Sequence, residues 1–213
     1  MLKDPDAPNN PRAHLADRRR AELLRAARKV VVERGIASTR VADIAKETRV
    51  SGGLIHYHFA TKDDLMVAML RATSDIERAQ LDEIVGSPGT ALHRLDRVIR
   101  QYIPGEGTDQ SWMLWIEAWA AGLRTPALRV ILEELELAWI HAVERVIREG
   151  VEQGEFTCVD PAAAAERVDA MLDGLIVRLT LHPDAVTHAR VLEHVRVATA
   201  REIGLDPADL ANA

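Results

Sequence analysis

RRRAELLRAARKVVVERGIASTRVADIAKETRVSGGLIHYHFATKDDL, residues 18–65, is the stretch that decides the fold. Leu23, Leu24, Ala27, Val30 and Val31 recur at helical spacing with arginines on the other face, and Gly35 supplies a C-terminal stop. Ser38-Thr39 offers an N-cap to a short helix holding Val41, Ile44 and Ala45, and Ser51 caps another over 52–58. Thr61-Lys62-Asp63-Asp64 is a capping box opening a long helix that runs to about Val85. One helix, two short helices across a tight turn, then a long helix is the order of a helix-turn-helix, whose second short helix enters the major groove of DNA.

The second short helix, GGLIHYHF at 52–59, is built for close approach. Gly52 and Gly53 remove side chains that would hold the backbone away from DNA, at roughly 1 kcal/mol each in helix stability. Helix-start N–H groups and the Ser51 hydroxyl can then bond phosphate. Ile55 and Phe59, four apart, face inward and leave His56, Tyr57 and His58 as polar tips. The plainer reading is a surface helix with incidental aromatics. His56 and His58 are two apart and do not face each other, so no metal site is expected, and nothing calls for a cofactor.

Net charge is −6, which read alone argues against nucleic acid. The distribution reverses that: residues 1–65 hold 13 lysines and arginines against 9 acids, whereas the other 148 hold 14 against 24. A basic end on an acidic body fits a DNA reader joined to a domain with another task. Apolar residues make up 47%, enough for a core, and no run approaches the ~20 that a membrane span needs. The polar, proline-rich MLKDPDAPNNPR lacks a secretory core, so a cytoplasmic protein with a disordered arm over 1–12 is expected. The single Cys158 makes no intrachain disulfide and reads as an ordinary small side chain.

Proline, glycine and cap residues punctuate the remainder. Helices are expected over about 91–103, 111–123, 126–153, 161–181 and 184–203, with Thr125-Pro126 and Asp160-Pro161 pairing an N-cap with a proline at the first helical position. No stretch alternates with the period of a strand. The expected fold is all-α with about nine helices: a DNA-binding domain over 13–62, a ligand-binding and dimerisation domain over 63–204, and a tail over 205–213.

The first domain resembles the tetracycline-repressor (TetR) family of transcriptional regulators. Gly35, Ile44-Ala45, Val50-Ser51, Gly53, Ile55, Tyr57-His58-Phe59 and Lys62-Asp63 match its pattern with the right internal spacing. The resemblance implies that Ser51, Gly52, Gly53 and His56 meet bases or nearby phosphates. It implies that Tyr57, His58 and Lys62 grip the backbone, and that Thr39 and Arg40 approach phosphate at the start of the preceding helix. Two positions depart from the pattern. His56 stands where the family most often has tyrosine. Arg49 replaces the usual turn glycine, so it either takes φ > 0 at roughly 1 kcal/mol or the turn differs, and it can add a phosphate contact.

In the body, Trp112, Trp115 and Trp119 form one helical stripe in a chain with only 4% aromatics. Two readings stand: core packing, or the wall of a pocket for an apolar or cationic ligand, with Trp139 closing it and Glu117 and Asp173 as charge partners. This half resembles the C-terminal domain of the choline-responsive repressor BetI and its relatives, through the Trp-rich helix, Pro126-Ala127-Leu128-Arg129, Gly154-Glu155-Phe156 and Leu172-Asp173-Gly174-Leu175. That implies a shared scaffold, not choline as the ligand. The resemblance also implies that the long helices at 126–153 and 161–181 pair with their copies. Val168, Met171, Leu172, Gly174, Leu175 and Leu179 would then line the dimer interface.

The expected function is a ligand-responsive repressor binding a palindromic double-stranded DNA operator as a homodimer. An activator or architectural binder without a ligand is the first rival. A helical enzyme with a vestigial reader is the second, although no nucleophile–base pair or metal set stands out.

Overall fold

A computed structural model of the chain describes residues 11–105 and 111–211. Among them it contains ten helices and no strand: α1 (Pro11–Arg34), α2 (Val41–Thr48), α3 (Gly52–His58), α4 (Lys62–Val85), α5 (Ala91–Tyr102), α6 (Ser111–Gly122), α7 (Pro126–Glu152), α8 (Pro161–Leu181), α9 (His188–Glu202) and α10 (Pro207–Ala211). The chain divides into two compact units between Thr73 and Ser74. The division falls inside α4, because its first turns bury Leu65, Met66, Met69 and Leu70 in the first unit. Among the described residues no helix is long and apolar enough to cross a membrane.

The first unit follows its cap signals. Leu23, Ala27, Val30 and Val31 of α1 are buried, and Gly35 ends the helix at φ 80. Ser51 Oγ accepts from the Leu54 N–H at 3.3 Å and opens α3. The capping box of α4 closes both ways: Thr61 Oγ1 accepts from the Asp64 N–H, and the Asp64 carboxylate accepts from the Thr61 N–H. Arg49 takes the left-handed conformation, φ 55 and ψ 36, so the turn keeps its geometry and the arginine bears the strain.

Two expectations fail here. The N-cap of α2 is Arg40 rather than Ser38-Thr39, because the Thr39 hydroxyl donates to the Gly35 carbonyl at 2.7 Å and Thr39 is buried. The arm expected over 1–12 is too long at its inner end, since α1 begins at Pro11; residues 1–10 lie outside the described residues.

In the second unit, α7 packs on α5, α6 and α8, and α9 on α8 and α5. The Gly154-Glu155-Phe156 loop has a definite task. The Glu155 carboxylate accepts from the N–H groups of Ala91 and Leu92 at 3.1 and 3.2 Å, capping α5, while Phe156 packs on Gly150 where a Cβ would clash. Asp96, buried on α5, pairs with Arg196 of α9 and Arg100 at 2.6 Å each.

The last expected helix starts late: Thr187, not Asp184, is its cap, with Oγ1 accepting from the Arg190 N–H. The tail expected over 205–213 contains α10. Asp206-Pro207 repeats the cap-plus-proline signal of α8, and fully buried Leu210 anchors the short helix.

Candidate DNA-reading surface and effector cavity

The reading surface belongs to the first unit. Ile55 and Phe59 are buried and fix α3 in place, and Arg20 of α1 stacks over the Phe59 ring at 5.2 Å. That leaves Ser51, Gly53, His56 and Tyr57 exposed, with Gly52 and His58 partly so. Tyr57 is 79% exposed, an unusual burden for a large aromatic unless a partner covers it. Arg40 and Arg49 are also exposed. A Cβ at Gly52 would meet nothing within 4 Å, so the helix does not need that glycine for its own packing.

Two residues expected on this surface are occupied elsewhere. Thr39 is 1% exposed and cannot reach outward. The Lys62 ammonium donates to the carbonyls of Ile36 and Ala37 at 2.8 and 3.2 Å, clamping the loop after α1. No sequence signal links Lys62 to a loop 26 residues earlier.

The second unit contains a cavity of about 240 Å³ lined from α4 to α8. Trp112, Trp115, Trp119, Trp139 and Asp173 all line it, so the tryptophans are both packed and cavity-facing. Glu117 does not line it. It is two residues from both Trp115 and Trp119, and residues two apart on a helix point to different sides.

The aromatic rings hold one another in place. Tyr102 lies 4.7 Å from Trp139 and 5.2 Å from Trp112, and Trp112 lies 5.6 Å from Trp119, centroid to centroid. Trp112 Nε1 donates to the Tyr102 carbonyl and Trp115 Nε1 to Glu77 Oε1, each at 3.0 Å. The Tyr102 phenol donates to the Asp173 carboxylate. Burial pushes the phenol's pKa well up, helped by Asp169 and Asp173.

Carboxylates supply the charge. Glu77, Glu136 and Asp173 line the cavity, and among the described residues no lysine, arginine or histidine does. Asp169, one turn before Asp173, is buried. Burial first, then repulsion from Asp173 and Glu136, raises Asp169 to about 7; burial also raises Asp173, against the Tyr102 hydrogen bond. Tyr102, Glu77, Gln80, Glu136 and Asp169 were not anticipated from sequence. Glu136 stands one turn before Trp139 and Asp169 one turn before Asp173, so helical neighbours of the expected residues held a usable signal.

A helix-turn-helix with an uncovered reading helix, joined to a helical body with a walled cavity, defines a DNA-binding transcription regulator with a ligand-binding domain. Residues 23–69 match the bacterial regulatory proteins of the tetR family, and residues 91–204 match the C-terminal domain of BetI-type transcriptional repressors. The chain belongs to the TetR family, with a C-terminal domain of the BetI type.

The HTH-type transcriptional regulator BetI of Brucella anthropi is 27% identical over 188 residues, covering 85% of this chain and 92% of that protein. The HTH-type transcriptional repressor KstR2 of Mycobacterium tuberculosis is 38% identical over 77 residues, 36% of this chain and 38% of that one. Among solved structures, a transcriptional regulator from Saccharomonospora viridis in complex with choline superposes with a TM-score of 0.82. It is 25% identical, over 88% of this chain and 98% of that one.

Proposed function

We propose that this protein is a transcriptional repressor that binds a palindromic operator as a homodimer and releases it on binding a small organic cation. The observation that carries the reading is the cavity: aromatic faces and carboxylates, with no basic side chain among the described residues that line it. Aromatic faces attract cations through their quadrupoles, most strongly where water is excluded. The choline complex of the S. viridis regulator supports the same class of ligand on a similar scaffold.

On the DNA side, His56 and Gly53 meet base edges, and Ser51, Gly52, Tyr57, His58, Arg40 and Arg49 hold phosphates. Their exposure around α3 supports this assignment. The dimer forms through the outer faces of α7 and α8. Val130 and Leu137 are half exposed there, Gly174 is exposed, and Met171 and Leu175 are partly covered. Val168, Leu172 and Leu179 drop out of that interface, because each is buried in its own subunit's core. The effector acts by population shift, favouring a state whose two reading helices are wrongly spaced for successive major grooves.

Selection from a random duplex library tests the reader: a palindromic site should emerge, and His56→Ala should change base preference at one position by roughly 1–3 kcal/mol. Titrating the selected complex with choline, tetramethylammonium and the neutral isostere 3,3-dimethylbutanol tests the effector. Cations should quench tryptophan fluorescence and release DNA together. Equal potency of the neutral isostere would remove the cation, and failure to select any site would remove the repressor.

A further inference from the structure

Three successive arginines, Arg18, Arg19 and Arg20, stand on α1 just before its first core residue, Leu23. Arg19 pairs with Glu22 at 2.6 Å. Arg18 and Arg20 are exposed and form no ion pair with any described residue, although Asp17 lies one turn before Arg20. Arg20 lies against the reading helix: its guanidinium sits 5.2 Å from the Phe59 ring centroid, and Phe59 is the C-cap of α3. From Phe59 the rings of His58 and Tyr57 follow at centroid spacings of 6.3 and 5.1 Å. Arg20, on α1, is therefore continuous with the surface that holds Tyr57 and His58.

Packing alone does not call for a guanidinium there. A long apolar side chain would cover Phe59 as well, and a cation adds little against a ring at an exposed site. What arginine brings is a planar fork with five N–H donors along its edge. With one face against Phe59 that edge is held in place, and no acid among the described residues claims it. The last turn of a helix also carries negative partial charge, which repels a phosphate unless a cation stands beside it. Lys62, the nearest lysine after α3, bonds the Ile36 and Ala37 carbonyls instead.

We infer that Arg20 is a DNA-backbone contact, seating a phosphate beside the C-terminal end of α3. The inference rests on the DNA reading above and adds to it a contact from α1, outside the two short helices. Phe59 orients the guanidinium, and the phosphate takes its free edge.

The test uses the full chain and two duplexes of equal length, the one recovered by selection and one of random sequence. Fluorescence anisotropy across a range of salt concentrations gives affinity and salt slope. Arg20→Met keeps a stem over Phe59 and removes the charge. It should weaken both duplexes by about tenfold and lower the slope by about one per bound subunit. Arg20→Lys keeps the charge and should keep the slope. Arg25→Met removes an equal charge from an exposed site roughly 140° round α1 and should leave the slope nearly as it was. Thermal melting checks folding, and Arg20→Gln replaces Arg20→Met if the latter melts early. An unchanged slope on neutralising Arg20, or an equal fall in Arg25→Met, would overturn the contact while the DNA reading stands. If the unaltered chain binds neither duplex, both fall.

Discussion

The phenol of Tyr102 donates to the carboxylate of Asp173, joining α5 to α8 at the cavity wall across 71 residues of sequence. The same ring packs edge-on against Trp139, so one side chain sets both an acid and an aromatic face. Tyr102→Phe keeps the ring and removes the donor. Unfolding free energy should fall by roughly 1–3 kcal/mol, as for a hydrogen bond to a charged group. Chemical denaturation measures it, and an unchanged midpoint and slope would show that the bond contributes nothing.

Stability should depend on pH through Asp169. In the folded chain it holds its proton to about 7, with Asp173, Glu136 and the Tyr102 phenol around it, whereas an unfolded aspartate releases its proton near 4. Between those values the native state binds the extra proton, so stability is lost as pH rises from about 4 through about 7. The melting temperature without ligand should therefore drop between about pH 5.5 and 8, and Asp169→Asn should flatten that drop. A cationic effector should restore stability most at the alkaline end. A melting temperature that climbs over this range in the unaltered chain, with Asp169→Asn no different, would contradict the assignment.

Arg49 trades stability for reach. At φ 55 it sits where glycine is at ease, so Arg49→Gly should stabilise the chain by about 1 kcal/mol. If its exposed guanidinium meets phosphate, the same change should weaken operator binding and lower the salt slope by about one. A more stable variant with an unaltered slope would leave the arginine without a DNA role.

Lys62→Ala should act through the fold. Its ammonium bonds the Ile36 and Ala37 carbonyls, so removing it should cost roughly 1–2 kcal/mol of stability and weaken DNA binding without changing the salt slope. A slope lower by about one would return Lys62 to the phosphate footprint.

Gly174→Leu should separate the subunit from the dimer. A Cβ there meets nothing within 4 Å in the single chain, so the folded subunit should tolerate the change. In the proposed interface the added bulk should cost roughly 1–3 kcal/mol per site. Sedimentation should show dissociation, with operator binding lost because two reading helices must stand about 34–36 Å apart. A monomeric unaltered protein at micromolar concentration, with operator affinity intact, would overturn the symmetric arrangement.

What the sequence determined by itself is what acts over a few residues. Gly35, Ser51, the Thr61–Asp64 box and the Asp160-Pro161 pair fix where helices start and stop, since caps bond backbone groups within one turn. The same local periodicity placed Ile55 and Phe59 inside and put three tryptophans on one stripe. Only the tertiary structure decided which face of α8 is core, since Val168 and Leu172 look like Met171 and Leu175 in sequence but are buried where the latter are half open. It also turned Lys62 onto a distant loop, removed Thr39 from the surface, and left Glu117 off the cavity while adding Glu77 and Glu136 beside the expected Asp173. The physical reason is distance along the chain. A cap or a stripe is closed by neighbours three or four residues away, whereas the cavity is closed by side chains such as Trp115 and Glu77, 38 apart, whose meeting depends on how five helices pack.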